Sequence, residues 1–134
     1  MMDVNKLVEA AIKGRDAAYT PYSQFKVGAA LWLKGDVIIS GCNVENASYG
    51  LCNCAERTAL FKAYSEGYKK EDILAMAIVA DTLGPVSPCG ACRQVMSELL
   101  LLDTPVYMTN LKGAMYILTV KELLPYSFSE SDLK

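Results

Sequence analysis

Three thiols and one carboxylate could act together in this sequence. Cys54-Ala55-Glu56 is followed, after residues 57–88, by Cys89-Gly90-Ala91-Cys92. The chain has no histidine, so thiolates are its only soft metal ligands. Alone, the Cys89–Cys92 pair has several readings: a structural zinc site, a redox pair, or chance. Adding Cys54 gives three soft ligands. A catalytic zinc site keeps three protein ligands and an open position, whereas a structural site is usually closed by four. Cys42 and Cys52 are the remaining cysteines, and either could be a fourth ligand. Each also has a plainer fate, Cys42 at the end of a strand and Cys52 packed as a small hydrophobe in a loop. Glu56 favours catalysis. Two residues beyond a ligand and one turn into a helix, its carboxylate can reach water at the metal, and a structural finger has no use for an acid there.

The elements that must position these groups follow from pattern. Asp3 reads as the cap of an amphipathic helix with Val4, Leu7, Val8, Ala11 and Ile12 on its apolar face, running to near Tyr19. Lys26–Leu33 and Val37–Cys42 read as strands of a hairpin turning at Lys34-Gly35-Asp36. A polar loop, residues 43–53, leads to a helix opened by Cys54, with Ala55, Ala59, Leu60 and Ala63 on its buried side. Ile73–Ala80 reads as a buried strand, and a third helix begins around Cys89–Cys92. Pro105–Thr109 and Ala114–Leu118 are two more strands, and Thr119 caps a short helix ending at Pro125. Both ligand groups thus fall at helix starts that follow strands, where active sites of open α/β sheets collect. Only residues 110–113 join the last two strands, too few for a parallel crossover, so they must be antiparallel. The expected fold class is α/β, a sheet covered by helices.

Composition narrows the partners. At 134 residues the chain is expected to form a single domain, 1–134, able to fold without disulfides. Thirteen basic residues against fifteen acidic ones leave a net charge of −2, with no cationic stripe to track phosphates. That opposes a nucleic acid partner and favours a small substrate. The longest apolar run, Ile73–Ala80, is too short for a membrane span, and the first residues lack a secretory pattern. A cytoplasmic location is expected, where clustered cysteines stay reduced.

The segments Asn43-Val44-Glu45-Asn46-Ala47-Ser48-Tyr49-Gly50, Cys54-Ala55-Glu56-Arg57-Thr58-Ala59 and Ser87-Pro88-Cys89-Gly90-Ala91-Cys92-Arg93-Gln94 closely resemble the homotetrameric cytidine deaminases, the zinc-dependent, three-cysteine type. The likeness runs from Pro21-Tyr22-Ser23 and Phe25-Lys26-Val27-Gly28-Ala29-Ala30 to Leu124-Pro125 and Phe128. It implies a cytidine-deaminase-like three-layer α/β/α fold with a five-stranded mixed sheet. It implies hydrolytic deamination of cytidine and 2′-deoxycytidine to uridine and 2′-deoxyuridine, with release of ammonia, in pyrimidine salvage. It implies one zinc per subunit on Cys54, Cys89 and Cys92, with water in the fourth position. Glu56 would move protons from that water to ring nitrogen 3 and then to the leaving amine. Arg57 would hydrogen-bond the thiolates, against the commoner fate of a helical arginine in a surface ion pair. Asn43 and Glu45 would bind ribose hydroxyls, residues otherwise read as ordinary turn formers. Phe25 and Phe128 would wall the base, core packing being the competing role. Ala55 and Ser87 would touch the base edge, and Tyr49 would line a site shared between subunits of a homotetramer.

Four other readings stay open on sequence alone. One is a deaminase of a related small molecule, such as blasticidin S, on the same scaffold. The others are a tRNA- or DNA-editing deaminase, a non-enzymatic zinc module, and a thiol redox protein. The Asn43-to-Asn46 loop and Phe128 favour cytidine, and the short hairpin link and negative charge oppose the editing enzymes.

Overall fold

The computed structural model describes residues 2–133. Helix α1 spans Val4–Arg15, and the Asp3 carboxylate accepts hydrogen bonds from the backbone N–H groups of Asn5 and Lys6. Those bonds satisfy donors that have no partner within the helix. Lys13 and Arg15 occupy its last turn, the favourable end for cations. The helix stops short of the expected end near Tyr19. Tyr19 is drawn off to pair with Val44; its N–H donates to the Asn43 carbonyl at 3.0 Å and its carbonyl accepts from Glu45 N–H at 2.9 Å.

Strands β1 (Val27–Leu33), β2 (Val37–Cys42), β3 (Ile73–Ala80), β4 (Pro105–Asn110) and β5 (Met115–Thr119) form one sheet in the order β2-β1-β3-β4-β5. Only β3 and β4 are parallel; every other neighbouring pair is antiparallel, including β4 and β5, as their short link requires. Helix α2 (Ala55–Ser65) lies between β2 and β3 in sequence. Helix α3 (Gly90–Leu99) makes the crossover from β3 to β4, and α4 (Val120–Leu123) follows β5.

Alternation along the strands divides the core between two faces. Ala30, Trp32, Ala75, Ala77 and Val79 meet Leu7 and Ala11 of α1. Ala29, Leu31, Met76 and Ile78 meet Ala59 and Leu60 of α2 and Met96 of α3. Both faces of β1 and β3 are therefore covered, which is why these strands read as continuous apolar runs. The expected three layers are present.

Two glycines let the helices approach. A Cβ at Gly28 would fall 2.0 Å from the Ala11 carbonyl oxygen, on the α1 side. One at Gly41 would fall 2.6 Å from the Ala59 nitrogen, on the α2 side. Among the described residues no helix is long and apolar enough to cross a membrane.

This topology gathers one end of the sheet. Because β1 runs antiparallel to both β2 and β3, the latter two point the same way. Their carboxyl ends, and the start of β1, share an edge from which the polypeptide enters α2 and α3. Gly41→Ala should lower stability by about 1–3 kcal/mol through overpacking against α2. Gly50→Ala, where a Cβ meets nothing within 4 Å, should stay within about 0.5 kcal/mol. Urea unfolding of the two variants checks the contrast.

Candidate active site

Cys54 and Cys89 are the N-cap residues of α2 and α3, and Cys92 lies in the first turn of α3. Their sulfurs all fall within 4.8 Å of one another. Cys54 and Cys89 are 3.7 Å apart, and Cys89 and Cys92 are 3.4 Å apart. A tetrahedral zinc with bonds of about 2.3 Å would set its sulfurs roughly 3.8 Å apart, so the donor set fits this ion with little movement. Neither other cysteine joins this cluster. Cys42 stays on β2, half-buried, its thiol pushed up by burial. Cys52 turns to Asn46, accepting from its N–H at 3.3 Å and facing its carbonyl oxygen at 3.6 Å. Among the described residues the cluster thus has three protein ligands and lacks a fourth thiol.

Three thiolates would give a divalent ion a net negative environment. The fold counters that charge. Two ligands sit at helix N-termini, whose free N–H groups favour negative charge. The Arg57 guanidinium donates from Nη2 to Cys54 Sγ at 3.3 Å. Its Nε is buried without a partner. Cys54 is held down to about 5, first by a hydrogen bond from the Cys92 thiol and then by Arg57 and Cys89, against the opposing pull of burial. Cys92 is pushed up, first because its proton is held in the bond to Cys54, then by burial and by Glu56.

Glu56 is 4% exposed. Burial pushes its carboxyl above the usual range, and the negative charge of Cys54 adds to the rise. A hydrogen bond from its own backbone N–H, another from Cys92 and the nearby Arg57 charge oppose it. A carboxyl buried beside thiolates gains a proton more readily than an exposed one, the property a proton carrier needs.

Over the cluster lies a cavity of about 190 Å³. Phe25, Asn43, Ala55, Glu56 and Ser87 line it together with Cys54 and Cys89, so most of the residues named from sequence converge here. Sequence reading missed Val27, Ile78 and Val86, which complete the wall. Val27 and Ile78 were visible only as strand residues, because a cavity lining has no periodicity of its own.

The remaining site residues stand elsewhere in a single chain. The Glu45 carboxylate accepts from the backbone N–H groups of Tyr22 and Ser23, each at 3.1 Å, and from the Ser23 hydroxyl. These bonds, the hydroxyl foremost, hold Glu45 below the usual carboxylate range. Tyr49 is 73% exposed and meets Tyr22 edge-on at 6.0 Å. Phe128 is 59% exposed, its carbonyl accepting from Gln94 Nε2 at 2.9 Å. Asn43 does two jobs: Oδ1 accepts from Val27 N–H at 2.9 Å and Nδ2 donates to the Phe25 carbonyl at 2.7 Å. It therefore pins the segment that carries Phe25.

Cys42→Ala and Cys52→Ala should each keep one equivalent of zinc per chain, whereas Cys89→Ala should lose it. Metal analysis of the dialysed proteins distinguishes these outcomes.

Comparison with known proteins agrees with this geometry. Residues 1–108 match the family model for the cytidine and deoxycytidylate deaminase zinc-binding region. A cytidine deaminase of Halalkalibacterium halodurans is 59% identical over 132 residues, covering 98% of each chain. One of Sporosarcina psychrophila is 55% identical, covering 98% of this chain and 96% of the relative. The crystal structure of cytidine deaminase from Burkholderia pseudomallei superposes with a TM-score of 0.93 at 53% identity, covering 95% of this chain and 100% of that one. With its three clustered thiols and matching sheet, the chain belongs to the cytidine and deoxycytidylate deaminase family.

Proposed function

We propose that this protein hydrolyses cytidine and 2′-deoxycytidine to uridine and 2′-deoxyuridine, releasing ammonia, and that residues 1–134 act as one domain. The observation that carries the proposal is the buried Glu56 carboxyl sharing one small cavity with the sulfurs of Cys54 and Cys89. Cys54, Cys89 and Cys92 would hold a zinc, which would supply the Lewis acidity that makes water nucleophilic at neutral pH. Glu56 would take one proton from the attacking water and pass it to ring nitrogen 3. It would then take the remaining proton from the oxygen added at carbon 4 and pass it to the departing amine, so that water is consumed and ammonia leaves. One carboxyl can serve each transfer because it lies beside both reacting groups.

Cavity size supports a base-sized ligand. At about 190 Å³ it falls below the roughly 300–1,000 Å³ of pockets that enclose drug-sized molecules, so the base enters and the sugar stays at the mouth. Phe25 offers a planar face to the base, and Ala55 and Ser87 offer backbone groups to its edge. Asn43, with one N–H and one lone pair still open, is placed to meet a sugar hydroxyl. We assign Glu45 to the sugar hydroxyls as well. The identities of 59% and 55% to named cytidine deaminases favour this substrate over blasticidin S. The antiparallel β4–β5 pair opposes the nucleic-acid-editing reading.

We assign the protein to the cytoplasm, to pyrimidine salvage and to a homotetramer. Phe128 and Tyr49 lie outside the cavity of a single chain; we assign Phe128 to the wall around the base and Tyr49 to a site shared between subunits.

Purified protein should convert cytidine to uridine. Glu56→Ala should keep its zinc but lose at least about 10²-fold in kcat. An inactive parent with full zinc would redirect the search to other amine-bearing substrates, and a parent without zinc would favour redox chemistry. Light scattering should give four chain masses; a single-chain mass would refute the assembly and leave the chemistry intact.

A further inference from the structure

We propose that Arg93 is a positioning residue for the active site, a strut that holds the Ser87-Pro88-Cys89 segment in place. Arg93 lies in the first turn of α3, next to Cys92, and is half-buried. Its guanidinium makes three hydrogen bonds, all to neutral oxygens. Nε donates to the Pro88 carbonyl at 2.9 Å. Nη2 donates to Ser87 Oγ at 2.5 Å. Nη1 donates to the Leu123 carbonyl, in α4, at 3.2 Å. Two arms of one rigid fork thus grip consecutive residues immediately before a metal ligand, and the third anchors the fork to another element.

Apart from the burial of Pro88, few hydrogen bonds hold the gripped segment. Residues 81–89 form no helix or strand. The loop is tied at its start by Asn110 Nδ2, which donates to the carbonyls of Thr82 at 2.9 Å and Leu83 at 3.1 Å. Val86 N–H donates to the Thr109 carbonyl at 3.2 Å. Beyond Val86, Ser87 and Pro88 are bonded through Arg93, and Pro88 has no N–H of its own to contribute. Ser87 and Cys89 line the catalytic cavity on one side. On the other side, Ser87 and Arg93 border a separate cavity of about 400 Å³, with Met108, Tyr116 and Leu123. A loop with space in front and behind keeps its position only if something braces it. Arg93 is that brace.

The fork's geometry sets what a substitution does. Guanidinium offers five donors in one plane, whereas an ammonium on a flexible stem cannot span Ser87, Pro88 and Leu123 together. A role that depended on charge alone would survive in lysine. The positioning role does not.

The inference builds on the deaminase reading of the site, so the experiment has one readout that needs no substrate. In zinc-loaded Arg93→Lys and Arg93→Gln, zinc release to a competing chelator should quicken by about 10–100-fold, the range for residues that orient metal ligands. KM for cytidine should rise by a similar factor, with a smaller fall in kcat. Ser87→Ala, which removes one arm at an exposed side chain, should show part of both effects. Combined with Arg93→Lys it should add almost nothing, because both act on one contact. Parental zinc release and KM in Arg93→Lys would overturn the proposal, as would parental values in Ser87→Ala or defects that simply multiply in the double variant. Should Arg93→Gln fail to fold, Arg93→Lys and Ser87→Ala carry the test. A parent that binds zinc but ignores cytidine would refute the substrate reading, and the release rates would still judge Arg93.

Discussion

The site depends on two helix N-termini being brought face to face. Strand β1 runs between β2 and β3 and antiparallel to both, so β2 and β3 deliver their carboxyl ends to the same edge of the sheet. The chain leaves each strand through a loop and enters a helix on the same face, where Ala59, Leu60 and Met96 share one core. Cys54 and Cys89 cap those helices, so strand direction and helix packing together set the separation of the sulfurs. Gly41 is part of that constraint, because its missing side chain lets α2 lie against β2. The metal ligands thus meet through backbone architecture before any side chain is adjusted.

From that meeting follows an electrostatic conflict with a local solution. The thiols must become thiolates to bind a metal, whereas burial raises the pKa of the carboxyl beside them. Helix N-termini and Arg57 act on sulfur, and Arg57 bonds Cys54 directly. Glu56, one residue before Arg57, is buried away from water, and burial dominates its shift. Along one helix turn the shifts therefore run in opposite directions, Arg57 stabilising negative charge on sulfur while burial raises the pKa of Glu56. Such divergence between adjacent titratable groups is how one site supplies both a nucleophile and an acid.

Much of this was legible in the sequence because the signals are local. The apolar runs of β1 and β3 exist because both faces of each strand are covered, and the antiparallel β4–β5 pair follows from the length of its link. The thiol cluster was legible from residue type and helix starts. Other features depend on partners distant in sequence. The early end of α1 comes from Tyr19 pairing with Val44, across 25 positions. Asn43 and Glu45 read as turn residues or ligand binders, yet both also hold the loop 20–27 through bonds to its backbone. Arg93 stood within a family-like segment and Asn110 in the link between the last two strands, but neither showed its bracing role, since a brace is defined by what it reaches. Tyr49 and Phe128 look like site residues by resemblance, and a single chain leaves them on its surface.

Asn43 shows how a polar side chain can serve structure and ligand together. A carboxamide has two donor hydrogens and two acceptor lone pairs. One of each is used on the backbone of Phe25 and Val27, in a pairing like that between neighbouring strands. This continues the edge of β1 by one more rung and fixes the ring of Phe25 at the cavity wall. The other donor and acceptor are left for a hydroxyl, which can both give and take a hydrogen bond. Aspartate at this position could accept from Val27 but could not donate to the Phe25 carbonyl, and its charge would lie close to the thiolates. Glutamine would add a methylene where two short bonds already fix the spacing. The amide's length and its mixed donor and acceptor character are both required, so the residue that orders the wall of the cavity is also the one suited to meet the sugar.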